Sequence, residues 1–269
     1  MHRFEVGNVE CVVLNTGRFN LNAETLMGNA PPPARAAACE QYGLDPAAIV
    51  FQMNPLVVRT DQHLVVIDPG TAFDARGTLI TALAAAGIHP EQITGVIITH
   101  GHSDHFNGCV NEDGTPAFPN APYYIQRAEW DHWFADVNPE PHHAASFQAI
   151  LGPHKDRMVF LEGDGAIISG FEAALTPGHS PGHMAVVINR QLICVGDVLQ
   201  HEVYVGNAAW VGTFDCWPEQ VIRIRQALLR RIVDENLLVS TYHFAPPGIG
   251  HVVPAGDSYR WLGDSSLSG

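Results

Sequence analysis

The segment Thr99-His100-Gly101-His102-Ser103-Asp104-His105-Phe106-Asn107-Gly108 places three imidazoles and a carboxylate within six consecutive positions. It follows Gly95 to Thr99, a short apolar run that reads as a buried strand, so the cluster sits at a strand's C-terminal end. In extended backbone, side chains two apart share a face. His100 and His102 are therefore placed to grip one ion while Asp104 and His105 turn toward a second. Imidazole and carboxylate donors without thiolate suit zinc, iron, manganese or cobalt, with zinc the commonest in hydrolytic sites. Gly101 and Gly108 read as the points at which the loop bends tightly.

Three further donors end apolar stretches downstream: Thr176-Pro177-Gly178-His179, Val195-Gly196-Asp197 and Thr241-Tyr242-His243-Phe244. Alone, each reads as a turn carboxylate or a satisfied histidine near the core. In this order, with the first cluster, they resemble the metallo-β-lactamase superfamily over essentially the whole chain. The resemblance implies an α/β fold, the four-layer αββα sandwich, with a pocket where two β-sheets meet. It also implies two divalent ions per chain, Zn2+ first and manganese, cobalt or iron as alternatives. His100, His102 and His179 hold one ion, Asp104, His105 and His243 the other, and Asp197 bridges them. By the same resemblance, Asp68 in its Asp68-Pro69-Gly70 turn supports the histidine loop, and His183 is structural.

The resemblance is closest to the lactonase and organophosphate-hydrolase branch. It is carried there by the long N-terminal arm, the Asn54-Pro55-Leu56-Val57-Val58 strand and the ending from Tyr242-His243-Phe244 to His251. Antibiotic-hydrolysing members typically carry a cysteine at the bridging position or an arginine after the motif aspartate; Asp197 and His105 stand here instead. The implied activity is hydrolysis of an ester, a lactone such as an acyl-homoserine lactone, or a phosphotriester. A water shared by ions about 3.5–4 Å apart is the nucleophile, and Asp104 and Asp197 are the catalytic carboxylates, with Asp104 relaying the proton. Phe106, His201, Tyr204 and Trp210, with Phe214 and Trp217, are candidates for the substrate pocket, although such residues are as often core. Alternatives are thioester hydrolysis, a mono-iron persulfide dioxygenase, or a catalytically silent binding protein on the same fold.

The rest of the sequence bounds this reading. The 269 residues, 46% hydrophobic, suffice for one compact domain. A net charge of −14 disfavours nucleic acid and anionic membrane, leaving a small-molecule substrate. The five cysteines are widely spaced and read as free thiols in a reducing compartment. No leader or apolar span is evident, so a cytoplasmic enzyme is expected. Arg3 to Phe19 reads as a two-stranded hairpin. Asn20 to Val50 reads as an irregular arm carrying an Ala-rich helix closed by Gly43, covering the pocket or joining a homodimer. Glu219 to Asp234 is the clearest amphipathic helix.

Overall fold

The computed structural model describes residues 1–70 and 77–264. Its two large sheets have seven strands each. The first runs, in spatial order, His2–Val6, Val9–Val13, Leu56–Arg59, Leu64–Ile67, Gly95–Ile97, Tyr123–Gln126 and Met158–Leu161. The second runs Gly165–Ile168, Phe171–Leu175, Met184–Ile188, Leu192–Cys194, Leu238–Ser240, Ile249–Ala255 and Ser258–Gly263.

The layering follows from alternation along the central strands. In Leu64–Ile67, Leu64 and Val66 face helices Gly77–Ala85 and Pro141–Leu151 through Leu79, Leu83, Phe147 and Leu151. Val65 and Ile67 face the other sheet, where Met184, Val186 and Ile188 meet them. From Met184–Ile188, the intervening Ala185 and Val187 point outward to Val221, Leu228 and Ile232 of helix Pro218–Asp234. Both faces of these strands are buried, so they read as continuous apolar runs with period-two sidedness. The result is the four-layer αββα sandwich.

Strands Leu64–Ile67, Gly95–Ile97 and Tyr123–Gln126 are parallel neighbours, as are Leu192–Cys194 and Leu238–Ser240. Ligands in such sheets gather beyond the carboxyl ends of parallel strands. The His100 segment, Asp197 and His243 all leave from those ends.

The hairpin expected over Arg3 to Phe19 is His2–Val6 with Val9–Val13 and ends there. Gly17–Leu21 instead pairs with Ile49–Met53 in a separate two-stranded sheet. The arm between them is ordered helix, Ala23–Leu26 and Pro32–Gln41, with Gly43 in the left-handed region at φ 62°. Leu26, Met27, Ala38 and Cys39 bury it in the core shared with helix Pro218–Asp234. The longer helix starts at Pro32 because prolines suit a first turn, whose N–H groups need no intrahelical partner.

Candidate metal centre

His100 lies in a bend after strand Gly95–Ile97 and His102 on extended backbone, whereas Asp104 and His105 belong to the short helix Ser103–Phe106. That change of conformation turns the second pair away from the first. The glycines act differently from the sequence expectation, since neither Gly101 nor Gly108 has positive φ. A Cβ on Gly101 would meet Trp133 Nε1 at 2.1 Å, and one on Gly108 would meet the Pro69 carbonyl at 1.8 Å. They allow close packing rather than a bend.

The side chains assemble into two groups. His100 Nε2 and His179 Nε2 lie 3.1 and 2.9 Å from His102 Nδ1. Beside them, His105 Nε2 and His243 Nε2 are 3.3 Å apart, with Asp104 Oδ2 at 3.6 and 3.4 Å from them. Asp197 stands between the groups. Its Oδ2 is 4.0 Å from His100 Nε2 and 3.5 Å from His179 Nε2; its Oδ1 is 3.2 Å from His105 Nε2 and 3.3 Å from His243 Nε2. All are buried, His100 and His105 completely.

The outward nitrogens of four of the five rings are already committed, and that of His102 is buried without a hydrogen bond. His105 Nδ1 pairs with Asp68 Oδ2 at 2.9 Å, His179 Nδ1 with Asp215 Oδ1 at 3.0 Å, His243 Nδ1 with the Gln52 carbonyl at 2.7 Å and His100 Nδ1 with Thr99 Oγ1 at 3.1 Å. Where the acceptor is a carboxylate or carbonyl, the ring must donate there, leaving its inward nitrogen as a lone pair. Several lone pairs then face one another in a dry pocket. Asp197 Oδ1 is buried at hydrogen-bonding distance from two rings yet forms no hydrogen bond. Nitrogens bound to one tetrahedral zinc at about 2.0–2.1 Å stand roughly 3.3 Å apart, close to these spacings. The donor set therefore fits divalent cations.

Charge follows the same plan. Burial works against ionisation of Asp197, but the neighbouring His243 and His105 imidazoles, when protonated in place of binding an ion, outweigh it and hold the carboxyl well below the usual range. Burial pushes His100 well below the ordinary histidine range, reinforced by His105, so its ring is neutral, as a ligand must be. Asp68 takes φ 50°, an unusual conformation for a non-glycine residue, held by hydrogen bonds from Thr99 N and Thr99 Oγ1, both 2.7 Å. His183 is bonded to Thr176 Oγ1 at 2.8 Å and accepts from Asp197 N at 2.9 Å, so it positions Asp197.

The cavity above the centre is lined by Phe19, Leu21, Phe51 and Phe214, with His143 and Gln200 beside the candidate ligands. Phe106, His201, Tyr204 and Trp210, expected at the pocket, do not line it. Phe106 packs edge-on against Phe147, and Tyr204 stacks under Arg225 with its hydroxyl on the Leu26 carbonyl. His201 lies between Phe51 and Phe244, and Trp210 packs on the core of the second sheet. Their aromatic surface is used in the core. Sequence reading missed Glu129, Asp215 and Glu140. Glu129 is fully buried and accepts from the loops of both His100 and His179.

Residues 48–208 match the metallo-beta-lactamase superfamily. An N-acyl homoserine lactonase of Bacillus cereus is 32% identical over 113 residues, 42% of this chain and 40% of that protein. The N-acyl homoserine lactonase AttM of Azorhizobium caulinodans is 28% identical over 151 residues, 53% of this chain and 51% of the relative. The chain thus matches about half or less of these relatives' length. Among solved structures, AidC, a dizinc quorum-quenching lactonase in complex with a product, superposes with TM-score 0.90 at 23% identity, over 98% of this chain and 97% of that one. The hydrolase AbOPH of the beta lactamase superfamily gives 0.89 at 23% identity, over 97% and 96%. With the family's fold and its ordered histidine and aspartate positions in place, the chain belongs to the metallo-β-lactamase superfamily.

Proposed function

We propose that this chain is a dinuclear metal-dependent hydrolase of lactones, with N-acyl homoserine lactones as the leading substrate class. The observation that carries the reading is the division of Asp197, whose Oδ2 faces His100 and His179 while Oδ1 faces His105 and His243. In this reading His100, His102 and His179 hold one cation, Asp104, His105 and His243 the other, and Asp197 both. Two divalent ions, Zn2+ first, would supply Lewis acidity toward a carbonyl oxygen and lower the pKa of a bound water to about 7.

The protein's own groups do the remaining work. Asp68, Asp215 and the Gln52 carbonyl fix three imidazoles in the tautomer that presents a lone pair inward. Asp104, partly open to the cavity through its side chain, is the carboxylate placed to hold the proton that must reach the leaving alkoxide. Phe19, Leu21, Phe51 and Phe214 offer an apolar wall to an acyl chain and keep water out. Among the described residues no lysine or arginine lines the cavity, which favours a neutral substrate over an anionic one. The lactonase relatives support the choice of lactone.

The test is purified protein of defined metal content assayed against acyl-homoserine lactones, simple esters and phosphotriesters. About two equivalents of metal with preferential lactone opening is the expected result. One iron with oxygen uptake would replace this reading by the mono-iron dioxygenase.

A further inference from the structure

Beside the centre lies a second group of ligating side chains that the proposed hydrolysis does not use. His132 near the end of helix Arg127–Trp133, Glu140 just before helix Pro141–Leu151 and Cys216 each bring one ligand atom within 4.8 Å of the other two. Cys216 Sγ donates to Glu140 Oε1 at 3.4 Å. His132 Nε2 is buried with no hydrogen-bond partner. Burial lowers the His132 ring below its ordinary range, leaving it neutral and able to coordinate.

Burial first, then Glu140, holds the Cys216 thiol up to about 12, so a bound cation would displace its proton to solvent. The resulting thiolate, with imidazole and carboxylate, forms a donor set for a borderline cation, and three protein ligands leave a fourth position for water. Donors around one tetrahedral ion stand roughly 3.3–3.8 Å apart. The Cys216–Glu140 spacing already meets that range, and the His132 ligand atom lies within 4.8 Å of both partners.

We propose that His132, Glu140 and Cys216 form a third cation site, for zinc or a similar borderline divalent ion, separate from the dinuclear centre. The site borders that centre on two sides. Glu140 Oε2 lies 3.5 Å from His102 Nε2, and Asp215, the neighbour of Cys216, holds His179. A cation here takes the Glu140 carboxylate away from His102. Metal in excess of the dinuclear complement therefore slows turnover.

Cobalt(II) titration of the full chain tests the site directly. The dinuclear ligand set contains no thiolate, so a thiolate-to-cobalt charge-transfer band in the near ultraviolet reports the third site whatever the dinuclear centre holds. The expected result is a band that saturates with about one equivalent of cobalt. Cys216→Ser should abolish it, His132→Gln should weaken it, and each should lower total bound metal by about one equivalent. A wild-type protein with no such band overturns the proposal without reference to any variant. So does a band that survives Cys216→Ser, or one that keeps its full affinity in His132→Gln. Failure of the dinuclear reading would appear separately, as loss of the cobalt that gives no thiolate band.

Discussion

Glu129→Gln tests whether a single carboxylate holds the two histidine loops together. Glu129 Oε1 accepts from Gly101 N at 2.7 Å and Trp133 Nε1 at 2.6 Å, and Oε2 accepts from Ser180 Oγ and Gly182 N, both at 2.8 Å. A carboxylate offers about four acceptor sites and no donor, so the four bonds saturate it. Glutamine keeps the shape but turns one oxygen into an NH2. Facing Ser180 and Gly182, that group can donate to a rotated serine hydroxyl, but it leaves the fixed Gly182 N–H opposite another donor. Facing Gly101 and Trp133 it meets two donors, which is worse. An unmade buried bond costs about 1–3 kcal/mol, and bonds to a charged group are the stronger ones lost. A total of about 2–4 kcal/mol follows, and at roughly 2–4 °C per kcal/mol the melting temperature should fall by about 4–16 °C. Metal retention should weaken in parallel, since the loops of His100 and His179 lose their common tie. Calorimetry of the metal-loaded protein, with metal counted by mass spectrometry, reads both. A variant melting within about 1 °C of wild type with unchanged metal would refute the reasoning.

Four further outcomes follow from the site. Asp68→Asn should weaken metal binding by about 10–100-fold, because His105 loses the carboxylate that sets its tautomer; competition with a chromophoric chelator measures this, and unchanged affinity would make Asp68 a plain turn residue. Asp104→Asn should cut turnover by about 10²–10⁴-fold while most metal remains, and equal losses of both would reduce Asp104 to a ligand. Chelation should lower the melting temperature and readdition of zinc should restore it, whereas identical melting of the two forms would uncouple metal from folding. His201 is held down to about 4, first by burial and then by His243. Its folded-state value lies below the unfolded 6.5, so it costs no stability above that pH. As pH falls from about 6.5 to about 4, the unfolded chain takes up the proton first and about 3 kcal/mol is lost. His201→Asn, which can still accept from Val203 N, should flatten that acid limb; an unchanged limb would exclude His201 as its source.

The candidate ligands were legible because each segment that carries them follows an apolar strand, and the strand ends of the two sheets meet at one edge of the sandwich. Of their support, Asp68 was legible from its turn and most of the rest was not. Glu129 sits in Arg127–Trp133 between Arg127 and Asp131, where a carboxylate looks like part of a solvated face; only the packing of the helix reveals its four donors. Gln52 contributes a backbone carbonyl, which has no sequence signal. The pocket wall depends on register: Phe19 and Phe51 are cross-strand partners of the small sheet, and nothing local pairs them. Aromatic content alone could not separate Phe214, which lines the cavity, from Tyr204, which lies in the core. The strands Ile249–Ala255 and Ser258–Gly263 were also missed, since Gly250 and Pro254 interrupt the first and no residue of the second is buried.

The buried charges say why the centre and the fold are one problem. Asp68, Asp104, Glu129, Asp197 and Asp215 are all buried, and Arg225, also buried, lies 4.0 Å from Asp215. Among the described residues no lysine and no other arginine is buried with them. Buried carboxylates are tolerated when hydrogen bonds or opposite charge offset their lost hydration. Glu129 is offset by its four donors, Asp215 by His179, Gly212 N and Arg225, and Asp68 by Thr99 and His105. Asp104 and Asp197 face the cavity, where Asp197 Oδ1 has no hydrogen bond. Metal cations are the charge this arrangement lacks. The carboxylates that orient the imidazoles are already satisfied by protein groups, and those that remain point to where the proposed ions would sit. The same two ions would then serve both hydrolysis and the closure of the loops around it.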